Sequence, residues 1–289
     1  MIIDLSKLES GFCDKLKKIT FCLTIARYQK IKTIKIFDRC TKENPFLFYD
    51  LCRIQNCKII KLLKIDKSFR DPFNFNEFNL QLNKESCKDF KPNYINISDD
   101  DFLIKWKESY KLIKPKKKIE NKIKKIIKNK KINFGLHARL TDKLVSIKEK
   151  LLELPYKDTI TKIEYNYFLN SLPDFIRNYK KNYIYISSDS YFHKNEIIKK
   201  VKESYNKILI NNSIFYLKKY RQTSGEDFLI DLFILSKCSV IYSSGGGVPV
   251  AAKLLSNKKI TLRFWKVKFF IFFEIKDLAK IIYFFRNLF

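Results

Sequence analysis

The sequence predicts an α/β fold with two Rossmann-like domains and a cleft between them. Hydrophobic residues make up 46% of the 289 residues, which is enough for a sizeable buried core. Short apolar runs that suit buried strands alternate with segments of helical period, and this alternation occurs in both halves of the chain. We therefore predict an N-terminal domain with a linker helix at 1–131, a second domain at 132–262, and an aromatic and basic segment at 263–289.

The N-terminal half begins with a strand, a helix and a second strand. In chain order we predict a strand over 2–5, a helix carrying Leu16, Ile19, Leu23, Ile25 and Ala26, a strand over 31–37 that ends at Asp38, loops and short elements over 66–100, and a helix near 101–113 that ends at Pro115. The first three elements make a βαβ unit, which is the building block of a parallel sheet.

Residues 116–131 are rich in lysine and carry isoleucines on one helical face. These are Ile119, Ile123, Ile126 and Ile127. The pattern predicts an amphipathic helix with a solvated basic side, and a binding helix is the alternative.

The second half repeats the alternation of strands and helices. In chain order we predict a strand over 133–136, a helix near 164–179, a strand over 183–186, a helix over 193–205, a strand over 207–210, a helix over 225–237, a strand over 240–242, a helix near 248–255 and a strand over 259–262. Because each strand is followed by a helix, this half also predicts a parallel sheet.

The chain carries a formal net charge of +29, which invites a nucleic-acid interpretation. Only nine of the 59 basic residues are arginine, however, and the lysines are spread over the whole sequence. Readers of bases and phosphates rely more on arginine. A compositional bias and attraction to an anionic membrane surface are the two interpretations that we prefer to specific nucleic-acid binding.

Seven cysteines without a Cys-x-x-Cys pair predict free thiols in a reduced, cytosolic protein. The chain opens without an apolar stretch of signal-peptide length, and no apolar run reaches the length of a membrane span. No cluster of His, Cys and carboxylates has metal-ligand spacing, so we expect no metal site.

Polar side chains follow the predicted strand at 133–136. His137, Arg139 and Asp142 come just past its apolar run. Ligands of open α/β sheets bind outside the carboxyl ends of the strands. An imidazole and a guanidinium at such an edge suit a ligand that carries phosphate.

A second polar segment, Ser243–Gly247, joins a predicted strand to a predicted helix. Glycines such as Gly245 let backbone amides approach a ligand, and the helix N-terminus adds partial positive charge. A tight turn without a ligand is the alternative. The segment matches neither a dinucleotide fingerprint nor a P-loop.

Two further carboxylates allow a functional and a structural interpretation. Asp231 lies in an otherwise apolar helix, where it either accepts hydrogen bonds from a ligand or faces solvent beside Asp227. Asp189 ends a predicted strand and either faces the ligand or caps the next helix.

These segments resemble, in the same order, the motifs of one known superfamily. His137-Ala138-Arg139-Leu140-Thr141-Asp142-Lys143 resembles the His-x-Arg-Arg-Thr-Asp-Lys motif of the α1,6-fucosyltransferases and the His-x-Arg-x-x-Asp motif of the wider fucosyltransferase-like superfamily with the GT-B fold. The further matches are Gly11-Phe12-Cys13-Asp14-Lys15-Leu16, Ile186-Ser187-Ser188-Asp189, Asp231 to Cys238, and Ser243-Ser244. The resemblance covers most of the chain.

The resemblance implies an inverting, metal-independent glycosyltransferase that takes its sugar from a nucleotide sugar, most often GDP-fucose. Arg139 would be the catalytic residue that binds the β-phosphate. His137 and Asp231 would contact the base or ribose, and Ser243 and Ser244 would bind phosphate. The donor-binding set that we predict is His137, Arg139, Asp142, Asp189, Asp231, Ser243, Ser244 and Gly245, with Gly11 and Asp14 in a loop of the cleft. No cofactor is implied.

Leu140 replaces the second arginine of the α1,6 motif, and Cys13 replaces a glycine of the N-terminal loop. The departures leave the donor and the activity open. Our first hypothesis is a cytoplasmic, peripherally membrane-bound enzyme that builds a bacterial surface polysaccharide or oligosaccharide on a glycan or lipid-linked glycan acceptor. The alternatives are an inactive membrane-associated relative and a basic nucleic-acid-binding protein. The aromatic segment 263–289 either lies on an anionic membrane or packs on the first domain.

Overall fold

The computed structural model describes residues 1–6, 8, 11–40, 47–65, 80–140, 144–145, 160–177, 182–211 and 224–264. The N-terminal elements are β1 (Ile2–Asp4), α1 (Phe12–Tyr28), β2 (Thr33–Phe37), α2 (Phe48–Leu51), β3 (Cys52–Ile54), β4 (Lys58–Leu62), α3 (Lys84–Phe90), α4 (Asp99–Ser109), a 3₁₀ turn (Tyr110–Leu112), β5 (Ile113–Pro115) and α5 (Lys117–Ile127). The elements that follow are β6 (Ile132–Ala138), β7 (Leu144–Val145), β8 (Ile160–Thr161), α6 (Lys162–Arg177), β9 (Tyr183–Ser188), α7 (Tyr191–Lys202), β10 (Ile208–Ile210), α8 (Gly225–Leu235), β11 (Val240–Ser243), α9 (Gly247–Leu255) and β12 (Thr261–Phe264).

The N-terminal half holds a parallel sheet with the strand order β1-β2-β4. The predicted strand–helix–strand unit is confirmed, since α1 connects β1 to β2 and buries most of its length. The short helix α3 agrees with the loops and short elements predicted over 66–100. The helix predicted near 101–113 is shorter than expected, since α4 ends at Ser109 and Pro115 lies in β5, where it pairs with Cys52 of β3. The short elements α2, β3, β4 and β5 were not predicted.

The second half holds a parallel sheet of five strands in the order β10-β9-β6-β11-β12. After β6, the next two strands of this sheet, β9 and β10, lie on one side of β6. The last two strands, β11 and β12, lie on its other side. The order therefore reverses at β6 and β11, and this is the place where open α/β sheets bind their ligands. All the strands and helices predicted for this half are present, with ends shifted by a few residues.

The two faces of the second sheet belong to different buried clusters. Leu136 and Ile186 face a cluster formed with α6 and α7. Tyr185 and Ile241 face the other cluster, which α8 and α9 share with residues of the N-terminal half. Gly135 allows α8 to lie close to the sheet, because a Cβ there would come within 2.6 Å of Leu235 Cδ2.

The lysine-rich segment forms α5, and its amphipathic prediction is confirmed. Ile119 and Ile123 are buried, whereas most of its lysines are exposed. Lys118 and Lys122 form ion pairs with Glu226 at the start of α8. This basic face thus has a structural role in joining α5 to the second half.

A buried ion pair lies at the carboxyl end of β2. Lys15 Nζ donates to Asp38 Oδ1 over 2.6 Å, and both side chains are fully buried. The other carboxylate oxygen accepts the Phe48 amide at 2.8 Å. Asp38 thereby joins α1 and α2 to the end of the first sheet.

We expect Asp38→Asn to lower the free energy of unfolding by about 3 to 5 kcal/mol, because it leaves the Lys15 ammonium buried without its counter-charge. Urea unfolding measures the change. Asp174→Asn is the control, since its ion pair with Arg177 is exposed and should contribute little. Equal effects of the two substitutions would contradict the structural role of Asp38.

Candidate functional site

The candidate site lies at the carboxyl ends of β6, β9 and β11. His137 of β6 is the register neighbour of Ser243 of β11 on one side and of Ser187 of β9 on the other. The candidate site therefore lies where the strand order reverses. The sequence predicted that the polar residues after 133–136 follow a strand end, and it indicated no strand order.

The imidazole of His137 is buried and fixed by Ser243. Its Nδ1 lies 2.9 Å from Ser243 Oγ, which also accepts the Gly245 amide at 3.1 Å. The nearest other acceptor for the serine proton is the Gly245 carbonyl, at 3.4 Å. We therefore infer that the Ser243 hydroxyl donates its hydrogen bond to Nδ1. Nδ1 is then the acceptor, and the proton of the neutral imidazole is on Nε2, which can act as a donor.

Burial and, to a smaller extent, the positive charge of Arg139 lower the pKa of His137 to about 3. The imidazole is consequently neutral at physiological pH. It makes no hydrogen bond through Nε2 with any of the described residues. A neutral N–H donor at this position suits a carbonyl or hydroxyl of a ligand.

The backbone around Arg139 is held from both sides. Its amide donates to Ser244 Oγ at 2.8 Å, and the next amide, of Leu140, donates to Asp189 Oδ1 at 2.8 Å. Ser244 N also donates to the His137 carbonyl at 3.1 Å. These contacts give Ser244 and Asp189 positioning roles. Their contact with a nucleotide-sugar donor stays a prediction. Asp189 does not cap the next helix, because Ser190 is the N-cap of α7.

The guanidinium of Arg139 lies over the glycine turn. A Cβ built on Gly246 would be 3.6 Å from Arg139 Nη1. Gly245 and Gly246 have φ values of 118° and 84°, which favour glycine at both positions. Gly246 is the N-cap of α9 and makes no side-chain capping bond. Arg139 and the first amides of α9 thus offer positive charge at one place.

The N-terminus of α1 meets that of α9 at this turn. Gly11 is the N-cap of α1 and, like Gly246, makes no side-chain capping bond. A Cβ on Gly247 would be only 3.0 Å from Cys13 Cβ and 3.4 Å from its Sγ. The glycine-rich turn therefore allows the predicted loop at Gly11 to come up against the second half. Asp14, which was predicted to lie in the same loop, instead lies in the first turn of α1 and forms an ion pair with Lys17 at 2.6 Å.

Leu140 stands where the resemblance has a second arginine. Its side chain is buried, with 1% exposure, in the apolar cluster that includes Leu136 and Ile186. His137 alternates with Leu136 along β6 and so faces the opposite side of the sheet. Position 140 therefore belongs to the core in this protein.

Asp231 is buried, so its solvent-exposed interpretation is wrong. Its Oδ1 accepts the hydroxyl of Tyr185, which reaches it from β9. Burial raises the pKa of Asp231 to about 6, against the opposing effects of Lys194 and of the Tyr185 hydrogen bond. Asp231 thus contacts a polar network beside the sheet, and its contact with a base or ribose stays a prediction.

Ser187 was not among the site residues predicted from the sequence, although it is the register neighbour of His137. Its place in the matched segment Ile186-Ser187-Ser188-Asp189, at the end of a predicted strand, was the signal that could have indicated it. Asp142 and residues 265–289 lie outside the described residues. Within the described part of the chain, no three potential metal ligands cluster, and no helix is both long and apolar enough to cross a membrane.

No protein-family model and no curated sequence match the chain. Solved structures match it in fold. POFUT1 in complex with GDP-fucose gives a TM-score of 0.54 at 12% identity, over 92% of this chain and 98% of that one. POFUT1 with GDP gives 0.53 at 11% identity over the same shares. The chain has the fold of POFUT1.

The NodZ fucosyltransferase from Bradyrhizobium also matches, with a TM-score of 0.48 at 15% identity over 88% of this chain and 92% of that chain. The likeness to POFUT1 and the strand pairing confirm the prediction of a mixed α/β protein with parallel sheets. The cleft between two domains and the domain bounds stay predictions.

The buried His137 predicts a pH-dependent stability. Its pKa is near 6.5 in the unfolded chain and about 3 in the folded one, so between these values the unfolded chain binds more protons. This contribution to the free energy of unfolding therefore falls as the pH drops from 6.5, by about 1.4 kcal/mol per pH unit, and levels off near 3.

Urea unfolding at about pH 7 and about pH 5 checks this expectation, with wild type losing about 2 kcal/mol more than His137→Gln. The comparison with a variant is needed because the raised pKa of Asp231 acts with the opposite sign below about 6. The same pH dependence in both proteins would show that His137 is not held neutral.

The contact between Cys13 and Gly247 predicts a coupled pair. Gly247→Ala should lower the free energy of unfolding by about 1 to 3 kcal/mol, because the new methyl would lie only 3.0 Å from Cys13 Cβ and Cys13 would have to shift. Cys13→Gly in that background should recover part of the loss. A double-mutant cycle by thermal or urea unfolding measures the coupling, and additive effects would mean that the two helix ends are not in contact.

Proposed function

We propose that the protein is an inverting glycosyltransferase that transfers a sugar from a GDP-sugar, with GDP-fucose as the first candidate. The observation that carries the proposal is the convergence of the Arg139 guanidinium with the glycine-initiated N-terminus of α9, against which the N-terminus of α1 lies. The sequence motifs and the fold shared with POFUT1, solved with GDP-fucose, support it.

The diphosphate of the donor would bind at the glycine turn. Backbone amides at a helix N-terminus hydrogen-bond phosphate oxygens, and the helix dipole favours negative charge there. Arg139 adds a guanidinium that is always ionised and can donate twice to one phosphate. The nucleoside would extend from the turn toward β6, where the Nε2 donor of His137 faces its base or ribose.

The reaction is a displacement at the anomeric carbon of the sugar. An acceptor hydroxyl attacks from the face opposite the diphosphate and forms the new glycosidic bond, and its proton is released to the solvent. The bond between the anomeric carbon and the diphosphate breaks, and the electron pair leaves with the diphosphate. Arg139 and the helix amides stabilise the charge that develops there, and they do so without a metal ion.

The acceptor that we propose is a glycan or lipid-linked glycan in the assembly of a bacterial surface polysaccharide or oligosaccharide. The enzyme would work in the cytoplasm, at the inner face of the membrane. The net charge of +29 supports that place, because it attracts the chain to anionic lipid.

Thermal unfolding with GDP, UDP, CMP, ADP and dTDP in the presence of EDTA tests the donor site. GDP at about 100 times its dissociation constant should add about 2.7 kcal/mol to the free energy of unfolding. Arg139→Ala should abolish the shift and lower the turnover of GDP-fucose by about 2 to 4 kcal/mol of transition-state stabilisation, while the variant remains folded.

Arg177→Ala is the matched control, because Arg177 is exposed on α6 and pairs with Asp174. It should leave the GDP shift and the turnover unchanged. A shift with another nucleotide alone would keep the transferase and replace the GDP-sugar. The absence of any shift would overturn the proposal, and salt-sensitive binding to any duplex would then favour the nucleic-acid alternative.

A further inference from the structure

The hydroxyl of Ser187 is buried without a hydrogen-bond partner. Ser187 is 1% exposed, and its Oγ makes no hydrogen bond with any residue in the described ranges. The next residue differs, since Ser188 Oγ accepts the Ser190 amide at 3.2 Å. An unsatisfied buried hydroxyl is destabilising, so its presence in a native protein calls for an explanation such as a bound ligand.

The position of Ser187 points to the candidate site. Ser243, His137 and Ser187 are successive register neighbours across β11, β6 and β9, at the carboxyl ends of the strands. Ile186 before Ser187 and Leu136 before His137 face the cluster on the opposite side of the sheet. Because side chains alternate along a strand, the three polar side chains form one row on the same face.

The row runs away from the diphosphate side of the site. The glycine turn follows Ser243 at one end of the row, and Ser187 lies two strands away, at about 10 Å for a strand spacing of about 4.8 Å. A nucleoside attached to a diphosphate at the turn extends over this distance. His137 lies between the two ends and offers its Nε2 donor in the same row.

We propose that Ser187 is a nucleoside-binding residue, whose hydroxyl hydrogen-bonds the base or ribose of the donor. The proposal rests on the proposed function and adds a contact to it. A hydroxyl donates one hydrogen bond and can accept up to two. It can therefore pair with a ribose hydroxyl or with a polar edge of the base. Binding would then satisfy the group that the free protein leaves unpaired.

Isothermal titration with GDP and with inorganic pyrophosphate tests the proposal. Ser187→Ala should bind GDP about tenfold more weakly, which corresponds to about 1.4 kcal/mol, and should bind pyrophosphate as the wild type does. Arg139→Ala should weaken the binding of both. The melting temperature of Ser187→Ala should equal or exceed that of the wild type, because the substitution removes an unsatisfied polar group.

Ser188→Ala is the matched control, since its hydroxyl has a partner in the protein and lies on the opposite face of β9. It should leave the affinity for GDP unchanged. An unchanged GDP affinity in Ser187→Ala, beside a loss in Arg139→Ala, would overturn the role of Ser187 and leave the proposed function standing. Equal losses for GDP and pyrophosphate in Ser187→Ala would also overturn it. The absence of GDP binding by the wild type would overturn both.

Discussion

The hydrogen bonds from the amides of Arg139 and Leu140 to Ser244 and Asp189 control the geometry of the candidate site. Each amide follows the end of β6, where the ladder of the sheet no longer supplies an acceptor. Side chains from the two neighbouring strands supply one instead, and the backbone that carries the guanidinium is held on both sides. A polar residue at the end of one strand thus positions a cationic residue at the end of another, and the site depends on the register of the whole sheet.

The same site leaves two helix ends without side-chain caps. Elsewhere a side chain caps α3, α4, α7 and α8, through Asn83, Ser98, Ser190 and Ser224 respectively, whereas α2 and α5 begin without such a cap at Leu47 and Lys116. The helices that meet at the site, α1 and α9, begin instead at Gly11 and Gly246. Relative to glycine, an N-cap side chain contributes only a few tenths of a kcal/mol, because it satisfies an end amide. A glycine leaves those amides to water or to an anion, so local stability is lower where a phosphate would bind.

Much of the fold could be predicted from the sequence, because it rests on local pattern. Strands and helices of the second half follow from apolar runs and helical period, and the polar strand ends mark the edge that carries the site. Residues whose surroundings come from distant parts of the chain could not be predicted in this way. Asp231 in α8 accepts a hydrogen bond from Tyr185 of β9, 46 residues earlier, and the contact of Cys13 with Gly247 joins residues more than 200 positions apart. The short strands β3 and β5 also lack a pattern of their own and are defined by their pairing.

The positive charge at the site can be compared with the negative charge of the proposed donor, because Leu140 replaces the second arginine of the motif. The diphosphate of a nucleotide sugar carries two negative charges, and it gains a third when the sugar leaves. The guanidinium of Arg139 supplies one positive charge and each helix N-terminus about half of one, so together they nearly match the bound donor. Leu140 carries no charge and is buried in the core, so it cannot help to neutralise the third negative charge. His137 cannot either, because it is neutral. In the proposed reaction, stabilisation of the charge that develops on the leaving group would therefore depend mainly on Arg139. A single guanidinium in this position would contribute more to turnover than to binding, because its interaction grows as the leaving group becomes more negative.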